Sequence, residues 1–370
     1  RTMPRFPGFR VRIRKGAFWC YFEPNEKPGP FVKPDIANPC QPIREKQDND
    51  WLIRFYYYEN RISFEAFHAI SDGAGALTFF RTILAEYLRQ MGVEIPPDPS
   101  ILNVDEPSKP EELEDAYGRY AGERGLRGKL EATAYPNVSA AEPFYTLNVT
   151  MGLMSVAEVK ARAKAHGASL TEYLTAVLLS LLEKQAAEHP HHLRPVALAI
   201  PINLRSWFPS ETLRNFILTV RPCIDPGLGE YSLEEIIRYV HSYMNLHLSR
   251  QEMRAVLTGN VKFTRNRLLQ IIPMFLKQPV MAFSYQQLGV RPYTATYTNP
   301  GPFRVPYIER MEVILGQATR PSPHCASISY GDTLEVTFAG TGVSSETERL
   351  FFTHLVQAGI HVKVISNRNT

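Results

Sequence analysis

With 370 residues, 44% of them hydrophobic and 21% charged, the chain has ordinary globular composition and enough length for two cores. A net charge of +4 suits an anionic substrate but does not by itself call for nucleic acid. Four scattered cysteines without a CxxC pair argue against a zinc site and a disulfide framework and favour a reducing, cytoplasmic setting; no signal peptide is visible, and no apolar run approaches the ~18 residues of a membrane span.

Phe9 to Lys15 alternates strictly, with Phe9, Val11 and Ile13 on one face and Arg10, Arg12 and Arg14 on the other. This pattern predicts an amphipathic strand with a solvated cationic face in preference to a nucleic-acid ribbon. A second strand follows over Ala17–Phe22, and residues 23–50, rich in Pro, Asn and charge, read as mostly loop. Trp51 to Tyr58 is an alternating apolar run. A helix-period run begins at Ala76-Leu77 and continues to about Met91. Between them lies the tight turn His68-Ala-Ile-Ser-Asp72-Gly73. A histidine there, facing a helix N-terminus, is placed as a general base, because neutral imidazole takes a proton from an incoming hydroxyl or amine. Asp72 followed by Gly73 reads as a clamp on the turn. A lone strand-end histidine also suits a plain core position, so the other motifs decide.

From Pro96 to about Pro143 the chain is polar and Pro-rich, too long for an ordinary connector, and its acidic run Glu111–Asp115 reads as a solvated face. The stretch suits a crossover between an N-terminal subdomain, residues 1–143, and a C-terminal one, residues 144–370, restarting at Phe144. Two capping boxes, Ser155-x-x-Glu158 and Ser169-x-x-Glu172, open tandem helices. Strands are predicted over 194–205 and 215–224, helices over 232–247 and, broken near Pro273, over 251–278. A hairpin around Tyr330-Gly-Asp-Thr, a helix over 346–357 and a final strand from Ile360 complete the chain.

Two further stretches carry chemistry. Asn203-Leu-Arg205 ends a strand, with Asn215 opening the next. A β-type run ends in Thr298-Asn299-Pro-Gly301-Pro, a turn able to present a hydroxyl and an amide to a cleft. His189-Pro-His191-His192 has no carboxylate or Cys spacing to complete a metal site and reads as solvent-exposed. Asp72-Gly73-Ala-Gly75 fails as a dinucleotide loop because Thr78 takes the third glycine position.

His68-x-x-x-Asp72-Gly73, Asn203-x-Arg205 with Asn215, and Asn299-x-Gly301-Pro302 occur in the order found in a large acyltransferase superfamily. That superfamily includes chloramphenicol acetyltransferase, plant BAHD enzymes, yeast-type alcohol acetyltransferases and peptide-synthetase condensation domains. The chain resembles it, and is most similar to the bacterial alcohol acetyltransferase-like branch. Phe67 stands where condensation domains double the histidine, and the D-F-G-W-G loop of BAHD enzymes has no match.

The resemblance implies an α/β (α+β) fold of two similar subdomains, each a mixed sheet flanked by helices, with a channel between them. It makes His68 the general base inside that channel and Asp72 a structural carboxylate paired with Arg205, Arg214 being the fallback. Gly73 and Asn215 support the site, Thr298 donates to the oxyanion, and Asn299 shapes the acceptor pocket. The implied co-substrate is acyl-CoA or a phosphopantetheine thioester, with no metal and no permanently bound cofactor. The acceptor is a small alcohol or amine, no nucleic acid takes part, and the chain is monomeric. Superfamily members open with a strand and a helix before such a segment, so a native N-terminal piece is expected ahead of Arg1. Two alternatives stand: a condensation or ester-forming domain of natural-product biosynthesis served by an acyl carrier protein, and a catalytically inactive binding module of the same fold.

Overall fold

The computed structural model describes residues 1–35, 38–43, 47–126, 131–137, 139–143, 146–189, 193–316 and 323–368. In chain order the elements are β1 (Val11–Lys15), β2 (Cys20–Pro24), β3 (Val32–Pro34), β4 (Ile53–Tyr58), β5 (Arg61–Ala66), α1 (Gly73–Gln90) and α2 (Ala116–Tyr120). Then come β6 (Asn148–Ser155), α3 (Val156–Ala165), α4 (Leu170–Ala187), β7 (Val196–Asn203), β8 (Ile217–Val220), β9 (Cys223–Ile224), α5 (Leu233–His247), α6 (Arg250–Thr264), α7 (Arg267–Ile271) and α8 (Met274–Tyr285). The chain closes with β10 (Ala295–Thr298), β11 (His324–Tyr330), β12 (Thr333–Gly340), α9 (Glu346–Gln357) and β13 (Lys363–Ser366).

Two mixed sheets, each flanked by helices, organise the molecule, with β1 and β2 a separate hairpin. The smaller has the order β3-β4-β5, with β3 parallel to β4 and β5 antiparallel, Ile53 opposite Ala66 and Tyr58 opposite Arg61. Helix α1 lies on it through the fully buried Phe79, whose ring stacks on Phe9 at 4.2 Å and meets Phe6 at 4.9 Å and Phe64 at 5.3 Å. Each such aromatic pair adds roughly 0.5–1.5 kcal/mol beyond its buried area.

The larger sheet is eight-stranded, β13-β6-β12-β11-β10-β7-β8 with β9 also on β7. Only β10 pairs in parallel, with β7 and β11. Helix α4 fills its core, burying Tyr173, Leu174, Val177, Leu178 and Leu182 against Val196, Leu198, Val336, Phe338 and Phe351. A helix apolar on all sides belongs inside a protein, as here. The opposite stripe of α1, Leu77, Phe80 and Leu84, packs on Phe303, Val305 and Ile328, so α1 is shared between the two sheets.

Several sequence expectations need correction. Residues 23–50 contain a short strand, β3, because Val32–Pro34 finds an open edge on β4. The strand expected over 215–224 divides at Arg221-Pro222 into β8 and β9, since proline cannot donate to a ladder. The single broken helix over 251–278 is three helices, α6, α7 and α8, with Pro273 capping the last. Arg12 and Arg14 share Glu23 at 2.5 and 2.6 Å, so that strand face is paired with a carboxylate on β2. Within the acidic run, Glu112 is buried and holds Arg5 bidentately at 2.5 and 2.6 Å. The restart at Phe144, like His191 and His192, lies outside the described residues. Both predicted caps form, but only Ser169–Glu172 closes a full box; Glu158 turns instead to the backbone N–H and ring of His361.

Candidate active site

Strand β5 delivers the chain to His68 through two backbone bonds. Phe67 N–H donates to Leu52 O at 2.8 Å, and Ile70 N–H closes the turn on Phe67 O at 3.0 Å. The turn then hands over to α1, whose N-cap is Asp72.

Asp72 is 1% exposed, and both carboxylate oxygens are engaged. Oδ1 accepts from Gly75 N–H at 3.0 Å, while Oδ2 accepts from Phe216 N–H at 2.7 Å and Arg205 Nη1 at 2.8 Å. A buried carboxylate needs such partners, because an unpaired one would carry its full desolvation cost. The Arg205 guanidinium spends its five N–H groups on Asp72 Oδ2, Asn203 Oδ1, Arg214 O and, twice, Thr212 O, at 2.8 to 3.1 Å. The arginine is therefore a brace for the 203–216 loop, and it meets the carboxylate through one nitrogen. Arg214 is not the partner: its side chain donates to Leu113 O.

Asn215 binds the turn from the other side, its Nδ2 donating to His68 O at 2.8 Å and to Ala69 O at 3.2 Å. Residues from β7, the 212–216 loop and the β5–α1 turn thus fix the histidine backbone. The imidazole itself makes no hydrogen bond among the described residues and is exposed. The resemblance put this ring inside a channel open at both ends; in the structure His68 is exposed. A cavity of about 50 Å³ beside Asn148, Gln185 and Arg368 and an open groove at Arg12 and Glu26 both lie away from it.

Beyond the ring, Gly73 and Ala74 open α1, and no described group accepts from their N–H. A side chain added at Gly73 would meet nothing within 4 Å. Free N–H groups at a helix N-terminus favour negative charge. Gly75 is the tightly held glycine: a Cβ there would strike the Leu213 carbonyl and Ser71 Oγ, which already donates to Leu213 O at 2.6 Å.

Thr298 ends β10 opposite Ala326, half-buried and without a side-chain hydrogen bond among the described residues. Asn299 donates to Thr171 Oγ1 at 3.0 Å and accepts from Gly301 N–H at 2.9 Å, shaping the turn. Neither is hydrogen-bonded to His68, Asp72 or Arg205. Pattern reading did not single out Ser71, Gly75, Thr212 or the N–H of Phe216; the Gly-x-Gly spacing after Asp72 was the one available signal.

No family model matches the chain, and no curated protein matches it. Solved structures do. Polyketide synthase associated protein 5 from Mycobacterium tuberculosis superposes with a TM-score of 0.56 at 14% identity, over 94% of this chain and 86% of that one. The X-domain from teicoplanin biosynthesis gives 0.52 at 13% over 96% and 84%. The epimerization domain from the third module of tyrocidine synthetase B gives 0.51 at 9% over 95% and 84%. The fold is condensation-domain-like. At such identities the likeness concerns architecture, and the two mixed sheets with their flanking helices match the two-subdomain arrangement. Among the described residues, no group of His, Cys, Asp and Glu is arranged to hold a metal, and no helix is long and apolar enough to cross a membrane.

Proposed function

We propose that the chain is an acyltransferase that moves an acyl group from a thioester to an alcohol or amine, with His68 as general base. One observation carries this reading: a buried carboxylate, a five-bond arginine and Asn215 all converge on the turn that presents an otherwise unengaged imidazole. That scaffold fixes the backbone carrying the ring, as a general base held for an incoming acceptor needs.

In this mechanism His68 takes the proton of the acceptor as its oxygen or nitrogen attacks the thioester carbonyl. The carbonyl π electrons move to oxygen, and the N–H groups of Gly73 and Ala74 stabilise the oxyanion, joined by the Thr298 hydroxyl. Collapse reforms the carbonyl, breaks the C–S bond and passes the proton from imidazolium to the leaving thiolate. Residues 1–143 supply the base and residues 144–370 the brace and Thr298. Acyl-CoA is the proposed donor. The likeness to an assembly-line epimerization domain and X-domain favours a second donor, an acyl group on a carrier protein's phosphopantetheine arm.

The test is thiol release from a panel of acyl-CoA and acyl-carrier-protein thioesters with mixed alcohols and amines. General-base catalysis contributes about 10²–10⁴-fold, so His68→Ala should lose that factor while melting as the wild type does. Full activity in that variant would overturn the assignment.

A further inference from the structure

Helix α8 is built inside out. Phe275, Val280 and Phe283 are 73%, 63% and 66% exposed, and Leu276, Met281 and Tyr285 also face solvent. Its one charged residue, Lys277, points inward at 4% exposure, donating to Phe18 O at 2.9 Å and lying 3.5 Å from the Trp19 ring centroid. A helix on a water-facing surface turns its apolar stripe inward and its charges out. The β1–β2 hairpin extends the patch, with Phe18, Trp19, Tyr21 and Phe22 all exposed and Met274 N–H donating to Ala17 O at 2.7 Å. A continuous apolar surface of this kind marks an interaction site.

Charge identifies the occupant. From Met253 to Ile308 the sequence contains no Asp or Glu. Exposed Lys262 and Arg267 precede α8 and exposed Arg291 follows it, while Arg265 lies 3.8 Å from Asp115. An apolar centre carrying Trp and Tyr, flanked along the chain by cations, matches the interface of an anionic bilayer. Two copies face to face would bring like charges together, which opposes self-association. At 12 residues α8 is shorter than the ~20 a span requires, so it would lie in the membrane plane.

We propose that α8 and the β1–β2 hairpin form a docking surface for an anionic lipid bilayer. This stands apart from the acyl-transfer reading, because vesicle binding is measured without turnover. In flotation assays the purified chain should rise with phosphatidylcholine–phosphatidylglycerol vesicles and stay behind with phosphatidylcholine alone. Binding should weaken as salt is raised from about 0.1 M to about 1 M, where exposed charges are screened. The triple variant Phe275→Ser/Val280→Ser/Phe283→Ser should lower the bound fraction about tenfold, since apolar insertion is lost, with an unchanged melting temperature. Failure to float with anionic vesicles, equal binding to both vesicle types, or full binding by the variant would each overturn the proposal. So would light scattering that shows a dimer which the variant converts to monomer, since a second copy would then cover the face.

Discussion

Asp72 and Glu335 are both buried carboxylates, and their surroundings give them opposite consequences. Asp72 collects three donors, two of them backbone N–H groups that cannot move away. Asp72→Asn keeps the shape but leaves the Arg205 charge uncompensated, and breaking such a pair costs about 3–5 kcal/mol. The lower end applies, because Arg205 keeps four other hydrogen bonds to three acceptors. A urea-denaturation midpoint measures this, and acyl transfer should fall with it; a midpoint equal to wild type would mean the brace is dispensable. Glu335, 2% exposed on β12, is pushed up to about 7 by burial and by the neighbouring Glu312, against the pull of Arg310. Its folded-state value lies above the unfolded one, so the folded protein holds this proton more tightly. The benefit is complete below about pH 4.5 and is lost as pH rises through 7, leaving an ionised carboxylate that burial disfavours. Glu335→Gln should therefore raise stability at pH 8 by on the order of 1–3 kcal/mol and make little difference at pH 4. Thermal melts of both proteins across that range decide it, a constant offset at all pH values being the contrary result.

At the scale of elements, the entry to α1 is where local sequence and tertiary contact meet. The H-x-x-x-D-G pattern draws the eye to Gly73, yet the space around Gly73 is open and the tight approach is at Gly75. Gly75→Ala forces its methyl against the 213 carbonyl, and overpacking of that kind costs typically 1–3 kcal/mol. Gly73→Ala should be near neutral for folding, and its effect should show in acyl transfer, beside the proposed oxyanion site. Comparing the two melting temperatures separates the cases; an order reversed from this one would place the close contact elsewhere. The same turn shows what a linear reading can reach. His68 and Asp72 stood out through the H-x-x-x-D-G pattern, and the change of hydrophobic period from two to 3.6 marked β4 and α1 on either side, though not β5 between them. The capped helices α3 and α4 were legible from Ser-x-x-Glu spacing. Strand β3 was not, because its three residues take their form from the edge of β4. Nor was the burial of Glu112, whose partner Arg5 lies 107 positions away.

For the molecule as a whole, the layered α/β architecture was expected from the resemblance that the three motifs carry. The unequal size of the two sheets, three strands against eight, depended on pairings across hundreds of residues that no local period encodes. The exposure of the His68 ring is likewise not written in any local period. One structural feature then acquires a kinetic meaning. The bonds that steady the histidine loop join positions 133 and 144 residues apart. A nascent chain that has emerged only as far as α1 carries His68 and Asp72 but none of the partners that steady their turn. That turn is braced late in synthesis, when residues 205–216 reach back to it.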